Sequence, residues 1–375
     1  MVYRALGLMS GSSLDGLDLA FVHLHENAGK WDFEILKADC YEYNDEWKQR
    51  LQSATKLKAL DYQLLHTDYG HYLGEQVNRF IVENDLQYQV QIIASHGHTT
   101  FHVPGKKMTA QLGDGAAIAA MTGINVVSDL RAMDVALGGQ GAPIVPIGEK
   151  LLWDDFDFFL NIGGIANISF KHEECFTAFD ICSANSILNM LANKAGKEYD
   201  ENGLLASHGN INIELLDKLN NIEYYGHAYP KSLANSFGQE TVYPLIQDSG
   251  FGIEEALRTY VEHIAIQIKN SIEKLIVNNN SLAEQNHKPQ TTNYKLLSTG
   301  GGTLNLFLIQ RLKDYLNELN IELIIPDENI IKYKEALIMA LIGVLRWREE
   351  NNVLSTVTGA KRNSIGGAVW IGLEA

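Results

Sequence analysis

The 375-residue chain contains only three cysteines, Cys40, Cys175 and Cys182. An odd count without C-x-x-C spacing excludes a disulfide framework and argues against a cysteine zinc site. No stretch approaches the ~20 apolar residues that span a bilayer. The N-terminal segment has neither a basic leader nor a small-residue cleavage site, so a cytoplasmic location is expected. Positive charge is also scarce, with 30 Lys and Arg against 46 Asp and Glu and a net charge of −16. Such a field excludes nucleic acid or an anionic membrane as partner unless a basic patch exists. None is visible, because Arg346, Arg348, Lys361 and Arg362 are offset by Glu349 and Glu350. An anionic substrate would have to be met by local charges. What the chain has is length enough for two lobes and a 46% hydrophobic content that supports full cores.

Strand-like and helix-like segments alternate. Residues 3–9 and 17–24 read as buried strands around a turn of Gly, Ser and Asp, residue types that tolerate φ > 0 and bond their own backbone. Helical spacing of Leu64, Leu65, Tyr69, Leu73, Val77 and Ile81 predicts a long helix over 61–83. Strands are expected at 90–94, 124–127, 157–161, 166–170, 295–298 and 321–325. Helices are expected at 115–122, 183–195, 253–277, 304–319 and 335–350. Residues 278–293, polar and containing Pro289, read as a surface loop.

Three glycine turns stand out: Gly11 to Gly16, Gly163-Gly164 and Gly300-Gly301-Gly302. Two sit in β-hairpins and the third precedes a helix. Together they can cradle a triphosphate and an adenosine, the third offering a helix N-terminus to negative charge or a ribose. Asp15 and Asp18 can hold a metal ion directly or through water. This is ATP chemistry without a Walker lysine; each turn by itself is also an ordinary surface turn.

The order of these turns resembles the sugar kinase, Hsp70 and actin superfamily. More narrowly, the chain resembles the anhydro-N-acetylmuramic acid kinases of peptidoglycan recycling. The likeness runs nearly end to end, through Gly7-Leu8-Met9-Ser10-Gly11-Ser12-Ser13-Leu14-Asp15-Gly16, Ser95-His96-Gly97-His98-Thr99-Thr100, and Ser128-Asp129-Leu130-Arg131 continuing to Gly138-Gly139-Gln140-Gly141-Ala142-Pro143. Asn161-Ile162-Gly163-Gly164-Ile165-Ala166-Asn167, Pro230-Lys231-Ser232, Thr299-Gly300-Gly301-Gly302 and Val357-Thr358-Gly359-Ala360 complete it.

The resemblance implies an α/β, two-lobed actin-like ATPase (ribonuclease H-like) fold with an interlobe active-site cleft. The lobes are expected at 1–130 plus 352–375 and at 131–351. It implies an enzyme that hydrolyses the 1,6-anhydro ring of anhydro-N-acetylmuramic acid and phosphorylates O6 with ATP and Mg²⁺, giving N-acetylmuramic acid 6-phosphate. ATP would be held by Gly11, Ser12, Ser13, Leu14, Asp15, Gly16, Leu17, Asp18, Gly163, Gly164, Asn167, Gly300, Gly301 and Gly302. Mg²⁺ would lie near Asp15 and Asp18, through water. The sugar would meet His96, His98, Thr99, Arg131, Asn185 and Glu335, and a homodimer is expected.

Ring opening needs a general base near the anomeric carbon, opposite the departing O6. The family's base is the Asp of an Asp-Thr-Gly-Pro-Gly-Asn loop, matched here by Asp180-Ile181-Cys182-Ser183-Ala184-Asn185. Asp180 and Asn185 are in place, but two glycines are lost, so another backbone path is expected. Asp180 as a solvated loop carboxylate or as a helix cap is the plainer alternative. Cys182 invites a nucleophile reading that no step requires. His96 and His98 share a face of an extended segment, as two zinc ligands would, but no carboxylate or cysteine is near in sequence; sugar contact is the stronger reading. The family has Gln where this chain has His98. Arg131 either pairs with Asp129 or Asp134 or receives the substrate's lactyl carboxylate. Glu335 is expected at the head of a helix, orienting the site or favouring the helix dipole. The competing readings are a kinase of the same fold for another amino or anhydro sugar, and a nucleotide-dependent switch protein without sugar kinase activity.

Overall fold

The computed structural model describes residues 1–11, 14–172, 175–229, 231–234, 236–248, 250–285 and 293–372. It divides into Met1–Asp154 with Tyr333–Ala375, and Asp155–Lys332. The first unit opens with an antiparallel meander of β1 (Val2–Ser10), β2 (Gly16–Asn27) and β3 (Lys30–Glu42). β4 (Ile92–Ser95) lies parallel to β1. β5 (His98–Val103) and β6 (Met108–Leu112) form a separate hairpin, and β7 (Asn125–Ser128) lies parallel to β4.

The second unit repeats the plan. β8 (Phe158–Ile162), β9 (Ile165–His172) and β10 (Cys175–Ser183) form an antiparallel meander. β11 (Tyr294–Thr299) lies parallel to β8, and β12 (Ile321–Ile324) parallel to β11. The chain then returns to the first sheet, where β13 (Ala368–Trp370) pairs with β7. The sheet orders are β13-β7-β4-β1-β2-β3 and β10-β9-β8-β11-β12. In each, three consecutive antiparallel strands are extended beside the first of them by parallel strands. This doubled order is the actin-like, ribonuclease H-like α/β plan that the sequence leads one to expect.

The first core lies where Leu17, Leu19 and Phe21 of β2 meet Leu65, Tyr69, Leu73 and Val77, four positions at i, i+4 spacing on the helix Ala59–Glu83. Leu64, at the same period by sequence, is 55% exposed and lies off that face. The second core gathers Phe158, Leu160, Ile168 and Phe170 with Tyr260, Ile264 and Ile268 of the helix Ile253–Gln285. That helix extends into the segment read as a loop from 278; residues 286–292 lie outside the described ones.

The unit boundaries fall at 154 and 333 rather than at 130 and 351. Residues 131–154 stay with the first unit because Asp134 is bonded to Thr358 and Trp153 packs edge-on against Phe33, ring centroids 5.0 Å apart. The helix Glu328–Trp347 starts seven residues earlier than periodicity indicated and seats its Ala336 carbonyl against Gly7 of β1. No helix of the described residues is long and apolar enough to cross a membrane.

Gly7 is the point of closest approach. A Cβ there would overlap the Ala336 carbonyl oxygen and crowd the Ala340 backbone nitrogen. Backbone cannot yield as a side-chain tip does. Gly7→Ala should therefore destabilise the protein by about 3 kcal/mol or more. Gly105→Ala, where nothing lies within 4 Å, should be near neutral. Urea unfolding of both variants checks this.

Candidate active site

In the first unit the site grows from a single buried charge. Asp134 is fully buried; its Oδ1 accepts the Thr358 hydroxyl at 2.7 Å and its Oδ2 accepts the Gly141 N–H at 2.7 Å. The glycine-rich loop 138–141 is thus wrapped around a carboxylate. Its Gly141 carbonyl in turn accepts from Arg131 Nη1 at 2.6 Å. Arg131 Nε donates to His96 Nε2 at 2.8 Å, and His96 Nδ1 lies 2.8 Å from the Gly97 carbonyl. Those partners fix the neutral tautomer with the proton on Nδ1. Burial, with the Arg131 charge adding, pushes His96 down to about 3. Burial brings Arg131 down to about 10, still cationic at neutral pH.

Arg131 makes no ion pair with Asp129 or Asp134. Asp129 accepts the Ser128 hydroxyl at 2.9 Å, and Asp134 is occupied by the loop. Among the described residues, nothing hydrogen-bonds Arg131 Nη2. The guanidinium is therefore a partly buried cation with one edge anchored and the other free for an anion.

His98, also buried, lies at the start of β5, its Nδ1 3.2 Å from Ser10 Oγ. Tyr43 donates to Ser10 at 2.9 Å, and the Tyr69 hydroxyl lies 2.6 Å from that of Tyr43. The arrangement that uses every proton runs from Tyr69 to Tyr43 to Ser10 to His98 Nδ1, leaving the His98 proton on Nε2. Burial drives His98 down to about 4, which keeps it neutral. His96 and His98 are thus committed to Arg131 and Ser10 rather than to a common metal. Thr99, the residue after His98, is exposed.

At the hairpin, Ser12 and Ser13 lie outside the described residues. Gly11 and Leu14 close it, with Leu14 N–H donating to the Gly11 carbonyl at 3.4 Å and Leu14 at φ 59°. Asp15 is exposed, Gly16 and Leu17 begin β2 buried, and Asp18 is half-buried. Burial raises Asp18 to about 6; Glu335 and Asp15 push the same way and the Cys40 thiol bond opposes them. Glu335 lies two turns inside its helix rather than at the head, because that helix begins at Glu328, so it faces no N-terminal dipole. Its carboxyl is raised by burial, while Lys334 and then Arg131 lower it. Its charge acts on both Asp18 and Arg131, which couples the hairpin electrostatically to the Arg131 guanidinium.

In the second unit, Gly163 and Gly164 form the β8–β9 turn, and Gly300 to Gly302 follow β11. The structure brings these two turns together. Gly300 has φ 83° and a Cβ there would crowd Ile162 and Asn161. Asn185 Nδ2 donates to the Ile162 carbonyl at 3.1 Å, and its backbone N–H to Gly163 at 3.0 Å. Asn185 therefore ties down the glycine hairpin. Asn167 stands opposite both Asn161 and Asp180 in register.

Asp180 is on a strand, not a loop. β10 continues through Ser183 with a bulge between Asp180 and Cys182, and the next helix begins at Asn185 with no side-chain cap. Ile181 and Cys182, in place of Thr and Gly, are buried and prolong the strand. Asp180 Oδ2 accepts the Leu233 N–H at 2.9 Å. Its backbone N–H donates to the Lys231 carbonyl at 3.1 Å, and its carbonyl accepts the Tyr224 hydroxyl at 2.6 Å. Burial raises the Asp180 carboxyl, only partly opposed by the Leu233 bond. Burial pushes the Cys182 thiol up to about 12, so it stays protonated and is no nucleophile. Tyr224, Leu233 and Lys231, whose Nζ sits 4.4 Å over the Tyr224 ring, complete the setting. The Pro-Lys-Ser run around 231 was a signal for this setting in the sequence.

Residues 3–372 match the family described as anhydro-N-acetylmuramic acid kinase. Relatives bearing that name include one from Haemophilus influenzae, 31% identical over 97% of this chain and 97% of its own. One from Vibrio parahaemolyticus is 32% identical over 95% of each chain, and one from Sulfurovum is 32% identical over 98% of this chain and 99% of its own. Among solved structures, the activator of 2-hydroxyisocaproyl-CoA dehydratase from Clostridium difficile with bound ADPNP overlaps at a TM-score of 0.44 and 13% identity, covering 93% of this chain and 96% of that one. That likeness is too slight to bear on function.

Thr358→Val leaves Asp134 Oδ1 without its donor. It should cost about 1–3 kcal/mol, read as a lower urea midpoint. Asp18 gives a pH signature. Its folded value of about 6 stands above the ordinary 3.8. It therefore adds stability below about pH 4, and that contribution is lost as pH rises through about 6. Asp18→Asn should lack this loss, so its melting temperature should gain on the wild type between pH 4 and 7.

Proposed function

The chain belongs to the anhydro-N-acetylmuramic acid kinase family, and on that premise we propose how its residues divide the work. It is a kinase, a phosphotransferase that uses ATP. Its acceptor in this reading is 1,6-anhydro-N-acetylmuramic acid, and its product N-acetylmuramic acid 6-phosphate. The enzyme works in the cytoplasm, where ATP is available, and as a homodimer, in keeping with the family resemblance.

The observation that carries this reading is the Asp180 carboxylate, fixed through one oxygen to the Leu233 N–H and raised by burial. A carboxylate so held is stronger as a base than a solvated one and is aimed rather than free. Asp180 takes a proton from water as the water oxygen bonds to C1. The C1–O6 bond breaks, O6 bonds to the γ-phosphorus, and ADP departs with the bridging oxygen. Positioning and charge neutralisation do most of what phosphoryl transfer needs.

Arg131, whose Nη2 meets no hydrogen-bond partner among the described residues, suits the lactyl carboxylate as a charged partner. His98 presents Nε2–H as a donor to a sugar oxygen, the role a Gln amide has in the family. His96 holds Arg131 in place and is a positioning residue. The turns at Gly163-Gly164 and Gly300 to Gly302, brought together in the second unit, suit adenosine and phosphate. Little stands over Gly164, with nothing nearer than 3.9 Å to a Cβ placed there. Asp15 and Asp18 offer hard carboxylate oxygens, the donor type Mg²⁺ takes through its retained waters. A bound Mg²⁺ would supply neutralisation of phosphate charge.

In ¹⁸O water the product should be a sugar 6-phosphate with the label at C1 and none in the phosphate. Label in the phosphate, or no sugar product, would overturn the reading. Asp180→Asn should lower kcat by about 10³-fold or more while ATP binding, measured by calorimetry, stays within twofold. Tyr43→Phe breaks the proton chain to His98. It should raise the sugar KM by roughly five- to tenfold, about 1 kcal/mol or slightly more, with the ATP KM little changed.

A further inference from the structure

Away from the groups assigned above, β2 and β3 carry a cluster whose donors are of a different kind. His23 and His25 alternate on β2, so both imidazoles leave the same face. The register sets Glu34 of β3 directly opposite His23, and Asp32 opposite His25. One ligand atom each from His23, His25 and Glu34 lie within 4.8 Å of one another. The imidazole centroids are 6.2 Å apart and the rings are inclined at 72°. His23 Nε2 is buried and, among the described residues, has no hydrogen-bond partner. A buried polar atom left unpaired is costly, so its retention calls for a partner.

Arg4 of β1 stands opposite His23 and brings the positive charge on this face. The Glu34 carboxylate on the other side acts on His23 more strongly than Arg4 does, and Asp32 stands opposite His25. We propose that His23, His25 and Glu34 form a binding site for a divalent ion of the Zn²⁺, Ni²⁺ and Co²⁺ class, which clips β3 to β2.

Two imidazole nitrogens and one carboxylate oxygen suit such ions, with bonds of about 2.0–2.2 Å and open positions for water. Mg²⁺ prefers all-oxygen surroundings, so the donor set distinguishes this site from Asp15 and Asp18. Glu34 is exposed and free to rotate the remaining distance inward. His23 is five residues along β2 from Asp18, roughly 17 Å at the rise of an extended strand. β3 is the outer strand of its sheet, bonded on one side only. A cross-strand ion would therefore brace the ladder where it has least support.

The full chain, stripped of metal with chelator, is titrated with Co²⁺ and followed by its visible absorption; Zn²⁺ is then added to displace it and the melting temperature recorded. One Co²⁺ per chain, with a rise in melting temperature on Zn²⁺ reversed by chelator, is expected. His25→Gln should abolish the Co²⁺ bands, and Glu34→Gln should weaken binding about tenfold or more. Both variants should keep the metal-free circular dichroism of the parent, so the test stands even where His23→Gln fails to fold. A parent without Co²⁺ absorption, or bands that persist unchanged in His25→Gln and Glu34→Gln, overturns the proposal.

Discussion

The first unit's site depends on one buried carboxylate. Removing Asp134 from water is costly unless each of its oxygens is met by a donor. The chain meets them from two directions, with the Gly141 N–H and the Thr358 hydroxyl, 224 positions apart in the case of Thr358. Once the loop is fixed, the Gly141 carbonyl has a set position, and with it Arg131, and with Arg131 the tautomer of His96. Each bond is modest alone. In series they decide where a cation and one imidazole stand.

The second unit reaches a similar result by a different route. Asp180 is held by a sheet and by the 224–233 segment through its N–H, its carbonyl and one carboxylate oxygen. A carboxylate on a strand is placed more tightly than one on a glycine-rich loop, because the ladder limits its backbone. The bulge after Asp180 supplies the change of direction that the missing glycines would have given. Losing two glycines has altered the path to the Asp180 carboxylate without removing it.

How much of this was legible varies with the range of the forces involved. The β1–β2 hairpin, the helix over 59–83 and the glycine turns were readable because each is set by neighbours in sequence. β3 was not. Its Lys30, Asp32, Glu34, Lys37 and Asp39 read as polar, yet they are the alternating outward positions of an edge strand. The 180–185 segment read as a loop, but buried Ile181 and Cys182 favour a strand once there is a sheet to join. Glu335 was expected at the head of its helix, but residues 328–334, with Ile330 and Ile331 among them, belong to that helix as well. The chain from Tyr69 through Tyr43 and Ser10 to His98 spans separations of 26, 33 and 88 residues, beyond the reach of any local pattern. Candidate residues could be named from motifs, but the protons they carry could not.

The repeated strand order has an evolutionary consequence. In both units the hairpin between the first and second strands bears a glycine turn: Gly11 to Gly16 in one, Gly163-Gly164 in the other. In both, the segment after the fourth sheet strand bears the second specialised loop: His96 to His98 following β4, and Gly300 to Gly302 following β11. A gene that doubled an ancestral half would give two copies of each loop at equivalent stations. Both hairpins keep glycine at the turn, whereas the loops after the fourth strand differ, one carrying imidazoles and the other bare backbone. Two loops of different chemistry, one of imidazoles and one of glycines, then descend from a single ancestral station.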